Sequence, residues 1–259
     1  MPHIFLNTPN FNGDNRFYTN SAILHTTHYK PKVLIIGTYN EANVQGNLAD
    51  FFYGRNYFWP VMYNLANNLA LGHINQLTRS RKQSLIEGEP NPTLNQILEL
   101  CIQFELAFAD LVQDVLVPLM NHKDSEVNIA VSNGQAINNV APIVEFLSNN
   151  PTIEFVYCTT KFSQLHHLEN LWDQIIENVN RNNITFGCLR SPSGQGRGFT
   201  DQNIMGGVDD GTARINAITR YWVWVNHLAN PYGDLPLQNG FTHFDHNWLI
   251  NAGIDVNLF

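Results

Sequence analysis

The stretch Val33-Leu34-Ile35-Ile36-Gly37 decides how this chain is read. Four apolar residues, three of them β-branched, follow Pro31 at a short distance and stop at a glycine. A run with no polar alternation has no face to turn to water, so it predicts a strand buried on both sides, the kind found in parallel sheets. The runs Ala107 to Val112, Val127 to Val131 and Ile153 to Cys158 have the same character, and a further one, Ile184 to Leu189, precedes a loop of Ser, Pro and Gly. Between these runs, residues 57–71, 94–104, 135–147, 163–178 and 211–228 carry apolar side chains at three-to-four spacing, the signature of helices with one buried stripe. Strands alternating with helices of this length build βαβ units. The expected fold is therefore α/β: a three-layer α/β/α domain around a mainly parallel central sheet of four or five strands.

Working outward from the sheet, residues 1–259 read as a single domain. The segments 1–30 and 231–259, rich in Asn, Gly and aromatic residues, read as irregular N- and C-terminal extensions. The polar stretch from Gly72 to Pro92, punctuated by Gly88 and Pro90, reads as an insertion between helices.

Composition narrows the function classes. A hydrophobic content of 44% supports a sizeable core, and no apolar run reaches the ~18 residues of a membrane span. The opening Met-Pro-His-Ile-Phe lacks the basic-then-apolar order of a secretory signal, so a cytoplasmic protein without a membrane partner is expected. Cys101, Cys158 and Cys188 each sit in an apolar run and form no CxxC pair, which points to buried thiols and not to disulfides or a thiolate metal site. A net charge of −8 excludes the coating of nucleic acid by a broad basic surface, so any such contact must be local. The cations do cluster, at Arg79, Arg81 and Lys82 and again at Arg190, Arg197, Arg214 and Arg220; the first cluster reads either as a contact surface or as a solvated loop. Neither His243-Phe-Asp-His246 nor the pair His166-His167 completes a metal-ligand set, and the glycines at 194, 196 and 198 lack the Lys-Ser/Thr of a phosphate loop. No metal and no cofactor are expected.

Open α/β sheets bind ligands outside the carboxyl ends of their strands, which directs attention to two loops. One begins Gly37-Thr38-Tyr39-Asn40-Glu41 and leads to Phe51-Phe52-Tyr53-Gly54-Arg55-Asn56-Tyr57-Phe58-Trp59-Pro60; the other is Leu189-Arg190-Ser191-Pro192-Ser193-Gly194-Gln195-Gly196-Arg197-Gly198. An apolar strand, a Gly-led turn, an aromatic pair, an Arg-Asn dipeptide and Phe-Trp opening a helix together resemble the mismatch-specific and hypoxanthine branches of the uracil-DNA glycosylase superfamily. The later Ser191-Pro192-Ser193-Gly194 loop with Arg197 is similar to that family's second motif, which approaches the DNA minor groove. Ala109-Asp110-Leu111-Val112 and Ser132-Asn133-Gly134-Gln135-Ala136 fall where the family has its second and third strands, and the likeness spans residues 31 to 225. The chain departs from the family's first motif: Asn40 and Glu41 stand where Pro and Gly or Ser are usual, Tyr39 where one branch has a water-orienting Asn, and no His-Pro precedes Arg55-Asn56.

The resemblance implies a monomer that flips a damaged or deaminated base of the uracil or hypoxanthine type out of DNA and hydrolyses its N-glycosidic bond, as in base excision repair. Such chemistry needs a platform for the base and polar groups that meet the charges developing on sugar and base. Tyr39, Phe52, Tyr53 and Ser191 are the implied base-binding residues, Asn40 and Asn56 the implied catalytic amides, and Arg190, Ser193, Gln195 and Arg197 the implied DNA contacts. Gln195 takes the wedge position that fills the gap left by a flipped base. Each residue has a plainer reading beside this one. Asn56 also suits a helix N-cap, Asn40 a left-handed turn, Tyr53, Phe58 and Trp59 a core, Ser191 and Ser193 a turn, and Glu41 and Arg197 a solvated loop. The alternative function is a catalytically inactive protein of the same fold that binds nucleic acid or a base. The likeness also leads to the expectation that Ile36 and Leu189 end neighbouring parallel strands, which brings Tyr39, Asn56 and Ser191 around one cleft.

Overall fold

The protein's structure, a computed structural model, describes residues 16–39, 62, 94–121, 123–160 and 162–188. The chain divides into two compact units, Met1–Gln45 with Glu105–Cys188, and Gly46–Phe104 with Leu189–Phe259. In the second unit, α1 (Leu94–Gln103) buries Ile97, Leu98 and Cys101, a stripe at three-to-four spacing. Burial holds the Cys101 thiol far above its ordinary value, so it is a protonated packing group. Of the helix expected over 57–71, Met62 alone is described, and it is helical and buried. The segments 72–92, 211–228 and 231–259 lie outside the described residues.

The first unit is a mixed α/β structure. Among the described residues its strands are β1 (Phe17–Asn20), β2 (Ile23–Thr26), β3 (Val33–Gly37), β4 (Leu106–Asp110), β5 (Val112–Val115), β6 (Ala136–Asn138), β7 (Phe155–Cys158) and β8 (Thr185–Cys188). Its helices are α2 (Asp124–Ser132), α3 (Val140–Asn149) and α4 (His166–Asn178). Six strands form one sheet in the order β1-β2-β4-β3-β7-β8, and β5 with β6 form a separate antiparallel ribbon. β3 lies parallel between β4 and β7, in register Gly37 with Asp110 and Ile36 with Cys158, and β8 lies parallel to β7. Every residue of β3 and β4 is buried, as the uninterrupted apolar runs require.

One core cluster of this unit lies on one face of the sheet. Leu34 and Ile36 of β3, Ala107 and Ala109 of β4, and Val156 and Cys158 of β7 join Ile143 and Leu147 of α3 and Leu168 and Ile175 of α4 in one cluster. Each large apolar side chain so buried contributes about 1.5–3 kcal/mol. Two polar devices fix the helices around it. Asn128 of α2 offers Oδ1 to the backbone N–H groups of His167 and Leu168, at 3.0 and 3.1 Å, and so caps α4 from a different helix. Arg181 gathers the carbonyl oxygens of Leu147, Asn150, Pro151 and Ile153 at 2.7 to 3.2 Å and supplies the positive charge that the last turn of α3 lacks.

Several expectations need correction. The run Val127 to Val131 belongs to α2 and not to a strand: Val127 and Ala130 are buried three apart while Ile129 is 58% exposed, and Asp124 and Glu126 in the first turn favour a helix start. The helix expected over 135–147 begins only at Val140, because Gly134, at φ +68°, turns the chain out of α2 and Ala136–Asn138 pairs with β5. The apolar run Ala107 to Val112 is divided between β4 and β5. The region before residue 30 is not wholly irregular, for β1 and β2 form a hairpin that adds an antiparallel edge to the sheet. β3 and β8 are not neighbours: β7 stands between them, so Ile36 and the strand leading to Leu189 are separated by a full strand. Two adjacent apolar strands cannot be ordered from sequence separation alone, since either order buries the same residues.

Candidate functional site

A group of buried polar side chains gathers at the carboxyl ends of β3, β4 and β7. Thr38 directly follows β3, Asp110 ends β4, Thr160 lies two residues beyond β7, and all three are buried. Each stands at or just beyond the carboxyl end of its strand, the position at which open α/β sheets hold ligands. The hydroxyls of Thr38 and Thr160 are 2.7 Å apart. Thr38 also lies near the carboxyl of Asp124 at the start of α2 and favours its ionised form. The Thr38 and Thr160 hydroxyls thus form one buried pair beside the Asp124 carboxyl.

Asp110 is the group with the greatest chemical potential here. It is 4% exposed, and no hydrogen bond reaches its carboxyl among the described residues. Removal from water, and then the charge of Asp124, push its carboxyl up to about 8. Asp110 is therefore largely protonated at neutral pH and offers an O–H donor, the state an acid catalyst needs. Asp124 is also raised, by loss of surrounding water and against the lowering effect of Thr38; its side chain keeps contact with solvent, which limits the rise. Because Asp124's charge acts on Asp110, Asp124 ionises first of the two.

The backbone around Asp110 is held on every side. Its N–H donates to the Ala22 carbonyl at 3.0 Å, while the N–H groups of Leu111 and Val112 carry the ladder onward to Gly37 and Thr38 at 2.9 and 3.0 Å. Asn139, fully buried ahead of α3, closes the bend between β4 and β5 twice over. Its backbone N–H reaches the Leu111 carbonyl and its side-chain Nδ2 reaches the Asp110 carbonyl, each at 2.8 Å. The Nδ2 bond assigns the amide orientation, since the reverse would set two acceptors against each other. Asn139 Oδ1 is then a buried acceptor with no hydrogen-bond partner among the described residues.

Of the residues expected to form the site, Tyr39 is described. It follows Thr38 at the end of β3, half buried, with its ring packed against the hydrophobic core. Asn40, Phe52, Tyr53, Asn56, Arg190, Ser191, Ser193, Gln195 and Arg197 lie outside the described residues. His166 pairs with Glu169 at 3.4 Å on the exposed side of α4, and no cluster of three or more His, Cys, Asp or Glu side chains forms among the described residues. In the sequence Asp110 lies in a run that reads only as a strand. Its signal was there, as the lone charge closing the apolar run Leu106-Ala107-Phe108-Ala109-Asp110. Thr160, Asp124 and Asn139 carried no such signal, because they join the group only through the crossing of β7, α2 and the turn before α3.

No protein-family model matches the chain, and no curated protein matches it in sequence. No helix among the described residues is long and apolar enough to cross a membrane.

Proposed function

We propose that this protein is a DNA glycosylase-like enzyme that hydrolyses the N-glycosidic bond of a damaged or deaminated base, of the uracil or hypoxanthine type, in DNA. The reading includes a cytoplasmic monomer and a three-layer α/β/α fold, to which the burial of β3 and β4 along their whole length lends support. The observation that carries it is the Asp110 carboxyl, buried where the parallel strands end and pushed up to about 8 by that burial. Cleavage at the sugar C1′ sends the bonding electron pair to the base, and water adds to C1′ and loses a proton. A buried O–H donor beside the departing base protonates that anion, so the base leaves neutral, and the Asp110 carboxylate left behind takes the proton that the added water releases. Asn40 and Asn56 are the catalytic amides that orient the water or hold the base, Tyr39, Phe52, Tyr53 and Ser191 are assigned to the base, and Arg190, Ser193, Gln195 and Arg197 to the strand.

The test is to incubate the protein with duplex and single-stranded oligonucleotides carrying uracil, hypoxanthine or xanthine and to assay abasic sites by alkaline cleavage. Scission at one lesion is expected, slowed by about 100-fold or more in Asp110→Asn. Scission with none of them, while the same oligonucleotides still bind, moves the reading to an inactive base-binding protein of the same fold. The departures at Tyr39, Asn40 and Glu41 from the family's first motif favour that second reading.

A further inference from the structure

The β1–β2 hairpin and α3 enclose a groove of about 410 Å³ that is distinct from the Asp110 group. Tyr18 and His25, partners across the hairpin, stack at 4.9 Å and 9°, and the His25 and Phe146 rings meet edge to face at 5.0 Å and 87°. The stack is thus braced against α3, and Tyr18, 38% exposed, lines the groove. Burial lowers the His25 imidazole, so the ring is neutral at pH 7. Glu145 and Asn149 line the groove one helical turn apart on α3, and neither side chain has a hydrogen-bond partner among the described residues. Asn20 lines it from the hairpin, beside Ser21 and Ala22, which both hold left-handed backbone at φ +49° and +50°. That conformation is costly for residues other than Gly and is met where a tight turn is imposed.

We propose that this groove binds a guanine base, flat on Tyr18, with its N1–H and N2–H₂ edge toward the Glu145 carboxylate. Three features select that ligand. A braced aromatic ring favours a planar partner over a sugar or an aliphatic chain. Among the described lining residues there is one carboxylate and no Lys or Arg, which favours a donor-rich edge and gives a phosphate no counter-charge. The volume lies in the range of small-ligand sites and accommodates a purine with its ribose. Asn149 and Asn20 are placed to serve the remaining base and sugar polar groups.

The source of the base, a free nucleoside or an unpaired nucleotide in a strand, is separated by experiment. The full chain is titrated with guanosine, adenosine, N-acetylarginine amide, a short guanine-bearing single strand, and the same strand with that guanine replaced by an abasic position. Binding is read by saturation-transfer NMR and by shifts of the Asn20 and Asn149 side-chain amide signals. Guanosine is expected to bind and to shift both amides, with Glu145→Gln and Tyr18→Ala each weakening it by roughly tenfold or more and Tyr18→Phe leaving it intact. Binding of the guanine strand but not its abasic counterpart assigns the site to nucleic acid; guanosine without the strand assigns it to the free nucleoside. Adenosine or the arginine amide binding as well as guanosine overturns the proposal, and so does the absence of any binding up to about 10 mM. Glu145 lies exposed on a helix, so Glu145→Gln folds normally and the proposal stays testable if Tyr18→Ala does not.

Discussion

Asp110 illustrates how one side chain acquires a property its residue type does not have. An aspartate in water is ionised at neutral pH, but here burial and the neighbouring Asp124 charge raise its carboxyl to about 8. On the proposed reaction this makes the rate depend on the protonated form. Turnover is expected to hold level from pH 6 to 7 and to fall about tenfold per unit above pH 8, in single-turnover assays on whichever lesion is cleaved. A profile flat to pH 10 removes Asp110 from the chemistry. Part of this was legible: a charged residue closing an apolar strand is already unusual in a run that must be buried. The size of the effect was not, because it depends on Asp124 from another element and on how completely water is excluded.

Elements were legible to the extent that local spacing decides them. The apolar runs of β3, β7 and β8 and the periodicity of α1 and α4 were found close to their positions, since a parallel strand and an amphipathic helix each leave a local pattern. The segment 127–131 failed because Val-Asn-Ile-Ala-Val satisfies both periods, and the acidic first turn with Gly134 at the end decided for the helix. The β1–β2 hairpin failed for a different reason. Its turn uses Ser21 and Ala22 at left-handed φ where Asn-Gly is the usual signal, so nothing in the sequence announced it. Replacing these with the residues such a turn prefers, Ser21→Asn with Ala22→Gly, is expected to stabilise the protein by about 1–2 kcal/mol, read as a shift of the urea midpoint at constant slope. A lower midpoint would show that the strained turn is held by contacts specific to Ser21 or Ala22.

At the scale of the whole molecule, the raised carboxyl makes folding depend on pH. The folded state holds the Asp110 proton up to about pH 8, whereas the unfolded chain loses it near pH 4. Between those values the folded state binds more protons, so this group's contribution to stability is full below about pH 4 and declines as pH rises to 8. Asp110→Asn is expected to flatten that decline and to be more stable than the parent chain at pH 8, measured by chemical denaturation at pH 5, 6.5 and 8. An unchanged slope would place the Asp110 carboxyl in water. The sequence by itself determined that Val33–Gly37 is a buried strand and that parallel strands alternate with helices, because hydrophobic spacing is a local property carried by consecutive residues. Tertiary structure alone decided that β7 separates β3 from β8, that a hairpin guards the β4 edge, and that Thr38, Asp110, Asp124, Asn139 and Thr160 share one end of the sheet. Strand order and polar convergence are set by the packing of segments up to about 120 residues apart, as in the 122-residue separation of the Thr38–Thr160 bond, and no local pattern records them.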